Sequence, residues 1–329
     1  MKQTVLLLGA TGQTGGSVLN ALLAEPDSFV VHALVRPASA VKPEVAVLAA
    51  KGVGVRVVDI QGPLEPLVRA LQDIDVVIST IDAQSQLAQL QLVAAAKQAR
   101  VKRFVPCAFI TVAPPGGVMT TRDEKEVVYQ EIFKAHLPYT IIDVGYWHQI
   151  SFPGVPSGRT DYARLRPIDL HGDGMQESML IDLRDIGRYV ARITQDERTL
   201  NRYMVAYSDC LSEEQVFGLT EEASGEKIER NYIPTEKTLS LRAKYTNLSL
   251  TNPTNRMARY MRVTIDYEFS KYIRGDNTPA YARYLGYLDA NELYPDLRPI
   301  GFREFLVELV QGKSERAYKD VPMFDPPTE

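Results

Sequence analysis

Three glycines spaced by two residues each, Gly9, Gly12 and Gly15 in "VLLLGATGQTGGSVLNALL", constrain this chain more than any other feature. The apolar run Val5–Leu8 leads into them, and a helix-compatible stretch, Ser17–Leu23, leads out. A turn this tight, with its backbone against a pyrophosphate and a helix packed on its own strand, leaves no room for a Cβ. The helix N-terminus then offers unpaired N–H groups and the positive end of its dipole. A glycine-rich surface turn is the alternative reading. The preceding strand, the following helix and the N-terminal position all favour a dinucleotide cradle instead. Thr11, Gln13 and Thr14 fill the same loop and join the candidate cofactor contacts.

The alternation continues downstream. Val30–Val35, Val53–Val58, Val76–Ile78 and Phe104–Pro106 read as strands, with helical runs at Val45–Ala50, Leu64–Leu71 and Leu87–Ala99 between them. Parallel strands need crossover helices, so the pattern implies an α/β fold with a Rossmann-type, doubly wound parallel sheet. After Pro114–Gly117 the texture changes. Glu124–Ala135 is a charged helix and Tyr139–Val144 a further strand; "SFPGVPSGRTDYARLRP" reads as a loop or lid. Beyond it, Asp185–Ile193, Glu213–Ala223 and Phe302–Val310 look helical, joined by irregular connectors. We expect a dinucleotide-binding domain over 1–150 and a smaller C-terminal α/β substrate lobe over 151–329, interleaved with the sheet. The 329 residues are 45% hydrophobic and 24% charged, which suits a folded core. Lys+Arg 37 against Asp+Glu 41 gives a net charge of −4, which argues against nucleic acid as a partner. Cys107 and Cys210 are too few for a disulfide framework or a zinc cluster, and no metal is expected. No apolar run reaches a membrane span. The expectation is a cytoplasmic protein, monomer or homodimer, acting on a small molecule.

The end of the second strand reads the ribose: a carboxylate there favours NAD, a cation NADP. Arg36 stands there, twenty-one residues beyond Gly15, with Lys42 close behind and no acidic residue between Val30 and Pro43. NADP(H) is therefore the expected cofactor, the alternative being an Arg on an exposed strand end. Asp59 ends the third strand and can contact adenine or sit in an exposed loop. Thr80, after the fourth strand, completes the candidate set.

With these residues in place, the chain resembles the NmrA-like and isoflavone-reductase-like branch of the atypical short-chain dehydrogenases. "GATGQTGG", "ALVRP", "DVVIST", "AAKQARVKRFVP", "LPYTIID", "GDGMQESMLIDLRDIGRYVARITQDERTLNRYM" and "ELYPDLRPIGFREFLVELV" match its pattern in order over nearly the whole chain. The resemblance implies an NADPH-binding Rossmann lobe, a small substrate lobe, and reduction of aromatic or phenolic natural products; some members only sense nicotinamide nucleotides. It also implies a catalytic lysine thirteen residues before the "PYT" proline. That position is Lys125, counted back from Pro138. A lysine can act as general acid or base when its surroundings lower its pKa. Read from local sequence alone, Lys125 in "RDEKE" is a solvated helix face, and Asp123, Glu124 and Glu126 would raise that pKa.

The sequence departs from the family's pattern at the pocket. "VPCAFIT", with Cys107, Ala108, Phe109 and Ile110, replaces the plant members' Ser-Glu-Phe-Gly block, and Gly145 and Trp147 replace an Asn and a Phe. The pocket chemistry is therefore expected to differ. Tyr146, Trp147, His148 and Phe152 cluster after a strand expected to end at a cleft, and line an aromatic pocket or pack as a hinge. Phe109 and Met119 are further pocket candidates, and Cys107 reads as a small apolar residue. Tyr267 and Lys271 in "YEFSK" have the Tyr-x-x-x-Lys spacing of the usual short-chain dehydrogenases, but stand too far along the chain to play that part. The sequon at Asn247 is incidental. Three functions fit: an NADPH-dependent reductase of an aromatic or polyketide-like secondary metabolite, an NADP(H)-sensing regulator, or a non-redox isomerase or cyclase.

Overall fold

The computed structural model describes residues 2–82 and 85–319. In chain order, the first elements are β1 (Gln3–Leu8), α1 (Gln13–Ala24), β2 (Phe29–Val35), α2 (Pro43–Ala50), β3 (Gly54–Val57), α3 (Leu64–Ala70) and β4 (Val76–Ser79). Then come α4 (Gln89–Gln98), β5 (Arg103–Val105), α5 (Thr120–Lys134), β6 (Thr140–Val144) and β7 (Tyr146–Trp147). They are followed by β8 (Leu170–His171), β9 (Glu177–Ile181), α6 (Leu183–Gln195), β10 (Arg202–Ala206), β11 (Asp209–Ser212) and α7 (Glu213–Ser224). The last are β12 (Tyr232–Ile233), α8 (Thr235–Thr251), α9 (Arg256–Glu268), α10 (Pro279–Tyr284), β13 (Leu288–Asp289), α11 (Ala290–Leu293) and α12 (Phe302–Val310).

The chain forms two compact units and passes between them several times. The first gathers Met1–Phe109, Asp123–Asp143 and Arg184–Met204. Its sheet has the order β3-β2-β1-β4-β5, and every printed pairing in it is parallel. A parallel bridge from Phe104 to Tyr139 continues the order towards β6. The register places Leu8 beside Leu34 and Ser79, so the strands finish along one carboxyl edge. Leu6, Val77, Phe104, Leu92 and Val128 are buried in one core on the sheet, which is why these strands read as continuous apolar runs.

The second unit gathers Ile110–Arg122, Val144–Leu183 and Val205–Glu329; residues 320–329 lie outside the described part. It carries more of the chain than the first and is not the smaller lobe that was expected. The difference lies in a stretch expected to be an irregular connector. Residues 235–268 form α8 and α9 instead, and a π-type turn, Phe269–Arg274, follows. Its strands are short: β7, β9 and β11 form one sheet, and β8 pairs with β12. Phe152, Leu180, Val216, Phe302, Phe305 and Leu309 make its core. Among the described residues, no helix is long and apolar enough to cross a membrane.

Candidate functional site

The glycine loop follows β1 at the carboxyl edge of the first unit's sheet. Gly9 holds φ at +76°, and a Cβ there would lie 2.4 Å from the Thr80 carbonyl oxygen. A Cβ on Gly15 would lie 2.0 Å from the Gly9 carbonyl oxygen and 2.6 Å from Thr80 Oγ1. Both are backbone collisions that no side-chain adjustment relieves. Thr80 is thereby part of the cradle wall, its Oγ1 donating to the Leu8 carbonyl at 2.5 Å. Helix α1 begins after Gly12 with no side-chain cap and no acidic residue in its first turn. Its leading N–H groups and dipole suit a phosphate, so the residues present fit the pyrophosphate of a dinucleotide. Thr11 is exposed, with Gln13 and Thr14 half-buried on the first turn.

Arg36 follows Val35 directly, and Lys42 caps α2; both are exposed. Neither has a carboxylate partner among the described residues, which leaves two cations for a 2′-phosphate. Asp59 is exposed, and its Oδ1 accepts from the Gln61 N–H at 3.0 Å, closing a turn.

Lys125 is not a solvated helix residue. It is 4% exposed, and its Nζ donates to Gln86 Oε1 at 3.1 Å and to the Cys107 carbonyl at the end of β5. Asp123, Glu124 and Glu126 stand one or two positions away on α5, and residues so spaced do not share a helix face. Lys125 forms no ion pair with a carboxylate among the described residues. Gln86 and Gln89 brace this site: Gln89 Oε1 accepts from the Cys107 N–H at 2.8 Å, and Gln89 Nε2 donates to Gln86 Oε1 at 3.2 Å. Sequence reasoning missed both glutamines. Gln86 and Gln89 stand in a glutamine-rich stretch, "QSQLAQLQL", where nothing local separates them from Gln84 and Gln91. Phe109, just beyond, is buried with φ at +44°, a strained backbone for an aromatic residue.

The second unit encloses a cavity of about 190 Å³. Leu180, Leu211, Val216, Phe217 and Leu241 line much of it, and a charged chain lies along one wall. Arg166 Nη1 contacts Glu268 Oε1 at 2.7 Å, Glu268 Oε2 lies 3.4 Å from His171 Nε2, and His171 Nδ1 lies 3.0 Å from Glu213 Oε1. Burial opposes the charge on Glu268, but Arg166 and His171 outweigh it and hold the carboxyl at about 2. Burial likewise opposes protonation of His171, and its two glutamates overcome it, raising it to about 9. Lys271 stands beside this chain, 1% exposed, with Nζ 3.3 Å from the Tyr146 ring centroid and 3.1 Å from Tyr272 Oη. Burial, then the Arg166 charge, lower it to about 7. Tyr267 and Lys271 stand too far along the chain for the usual short-chain dehydrogenase pair, yet Lys271 is a wall of this cavity.

Of the aromatic candidates, Tyr146 lines the cavity. His148 and Phe152 do not, and are core instead. His148 is fully buried, 3.0 Å from Ser208 Oγ and edge-on to Phe302. Phe152 packs against Phe305. Trp147 stacks on Tyr318 at 5.6 Å, and Met119 is buried in the second unit. Tyr146 and Trp147 are adjacent on β7, where neighbouring side chains point to opposite faces.

The sequence profile of the NmrA-like family matches residues 1–306. Asnovolin J 5′,6′-dehydrogenase of Aspergillus novofumigatus is 40% identical over 312 residues, covering 94% of this chain and 95% of that protein. A phenylcoumaran benzylic ether reductase of Betula pendula is 27% identical over 323 residues, covering 94% and 99%. Among solved structures, the binary complex of leucoanthocyanidin reductase with NADPH from Vitis vinifera superposes with a TM-score of 0.77 at 23% identity. It covers 94% of this chain and 99% of that one. At that identity the likeness speaks for the fold.

Proposed function

The chain belongs to the NmrA-like family, and from that premise we propose that it is an NADPH-dependent oxidoreductase of an aromatic or polyketide-like secondary metabolite. The observation that carries the reading is Lys125: a buried amine on α5, held only by neutral acceptors, in the same unit as the glycine loop. The loop and the start of α1 bind the pyrophosphate, while Arg36 and Lys42 take the 2′-phosphate. When bound, the nicotinamide supplies or accepts the hydride. Lys125 gives or takes the matching proton at a substrate oxygen. Gln86 and the Cys107 carbonyl fix the amine in place, which lowers the cost of orienting it. Relatives are named both for dehydrogenation and for reduction, and the same groups serve both directions because hydride and proton then move in reverse. Taken by itself, the second unit holds a cavity whose partly apolar lining suits a small molecule.

The test follows nicotinamide absorbance over a panel of aromatic ketones, enones and benzylic ethers, in both directions. Lys125→Met is expected to keep NADPH binding and to lose turnover by about 10²–10⁴-fold. Gly15→Ala is expected to lose the binding itself. An unchanged rate in Lys125→Met would remove that residue from the mechanism. Tight NADPH binding without turnover of any panel member would favour a nucleotide sensor instead.

A further inference from the structure

We infer that the cavity of the second unit binds an anionic oxygen group on an apolar body, a carboxylate or an acidic enolate, with Lys271 Nζ as its charge partner. Lys271 is buried, and its ammonium makes one hydrogen bond among the described residues, to Tyr272 Oη at 3.1 Å. An ammonium has three donors, and a buried cation without a counter-charge is costly. The carboxylates nearby are already engaged. Glu268 on α9 is held by Arg166 and His171, and Glu213 on α7 by His171. With His171 protonated, Arg166 and His171 balance Glu213 and Glu268, so a protonated Lys271 leaves one positive charge in excess. Asp169, before β8, and the exposed Lys237 on α8 also line the cavity and carry one charge of each sign. The remaining titratable groups facing it are the phenols of Tyr146, Tyr260 and Tyr272. A second polar group points to a ligand: Thr238 lines the cavity, is 2% exposed, and its Oγ1 has no hydrogen-bond partner. Lys271 and Thr238 line the same cavity, so an oxygen anion on an apolar body would meet an ammonium donor and a hydroxyl there. The volume suits a ring system, since an apolar cavity of about 150 Å³ already admits benzene.

This inference rests on the small-molecule reading above, and names the group the small molecule carries. Its test uses no cofactor and no turnover, so the two readings fail separately. The full chain is titrated in a calorimeter with 2-naphthoate and with its uncharged amide, 2-naphthamide. Wild type is expected to bind the naphthoate at least about ten-fold more tightly than the amide. At pH 8 it should take up about one proton on binding the naphthoate, read from the heat in two buffers of different ionisation enthalpy. Lys271→Met is expected to lose both the preference and the proton uptake while keeping the amide affinity. Lys271→Arg, charged throughout, should keep the preference and lose the uptake. Equal affinity for the two probes in wild type, a preference that survives in Lys271→Met, or no binding of either probe would each overturn the inference.

Discussion

His171, wedged between Glu213 and Glu268, keeps its proton to about pH 9, whereas a histidine in the unfolded chain releases it near 6.5. Its contribution to stability is therefore fully present below about pH 6.5 and is lost as pH rises through about 9. Lys271 works in the opposite sense. Burial and Arg166 bring it to about 7, against roughly 10.4 in the unfolded chain. Between those values the unfolded state binds more protons, so stability rises with pH. From pH 7 to 9 the two slopes oppose each other, and the wild-type profile should be flatter than that of either variant. Lys271→Met is expected to expose the histidine slope, with a urea midpoint that falls from pH 6.5 to 9. His171→Gln should expose the lysine slope, with a midpoint that rises above pH 7. Urea unfolding followed by circular dichroism at half-unit pH steps would decide it; a wild-type slope steeper than both variants would sink the pairing. Little of this was legible in the sequence. The glycine loop could be read because its demand is local: a tight turn, a strand before it and a helix after it. Lys125 and Lys271 are defined by burial, and the groups that bury them come from remote segments. Gln86 and Cys107 enclose one, and Tyr146, His171 and Glu213 stand near the other.

At the scale of elements, the strands and helices of the first unit were read nearly to their observed ends because they alternate and the central strands, β1, β4 and β5, are largely buried apolar runs. Helices α8 and α9 were not read at all. Only Thr238 of α8 is buried, and the inward residues of the pair, Thr238, Leu241, Met261 and Thr264 among them, line a cavity instead of filling a core. Helix α8 therefore carries no dense apolar stripe, and its periodicity is faint. Helix α7 shows the opposite case, where a local signal carries the element. Ser212 Oγ accepts from the Gln215 N–H at 3.2 Å, and Gln215 Oε1 accepts from the Ser212 N–H at 2.8 Å. This capping box fixes the first turn that carries Glu213 to His171. Ser212→Ala is expected to cost about 1 kcal/mol of unfolding free energy. Because the turn also presents Glu213, His171 should titrate lower in the variant, which NMR of the imidazole would show. A loss of stability with an unmoved His171 would separate the cap from the charged chain.

For the whole molecule, the five passages of the chain between its units decide how it can be divided. A cut at residue 150, where the composition changes, removes α6 from the first unit. That helix buries Ile186, Tyr189, Val190 and Ile193 completely. It and the turn after it also supply the acceptors for Arg103, a 5% exposed residue at the start of β5. Arg103 Nη1 donates to the Ile193 carbonyl at 2.7 Å and to Thr199 Oγ1 at 2.8 Å, and Nη2 donates to the Asp196 carbonyl at 2.9 Å. Without them, a buried guanidinium loses three hydrogen-bond acceptors, a cost of several kcal/mol against a total stability of about 5–15 kcal/mol. The fragment 1–150 is therefore expected to show no cooperative transition in scanning calorimetry, although it contains the whole glycine loop. The full chain should melt cooperatively, and NADPH at a hundred times its Kd should stabilise it by about 2.7 kcal/mol. A fragment 1–150 that melts cooperatively and gains stability from NADPH would show that the dinucleotide unit is closed without α6. The geometry around Arg103 argues that it is not, and that the cofactor site depends on chain lying well beyond the stretch that carries its motif.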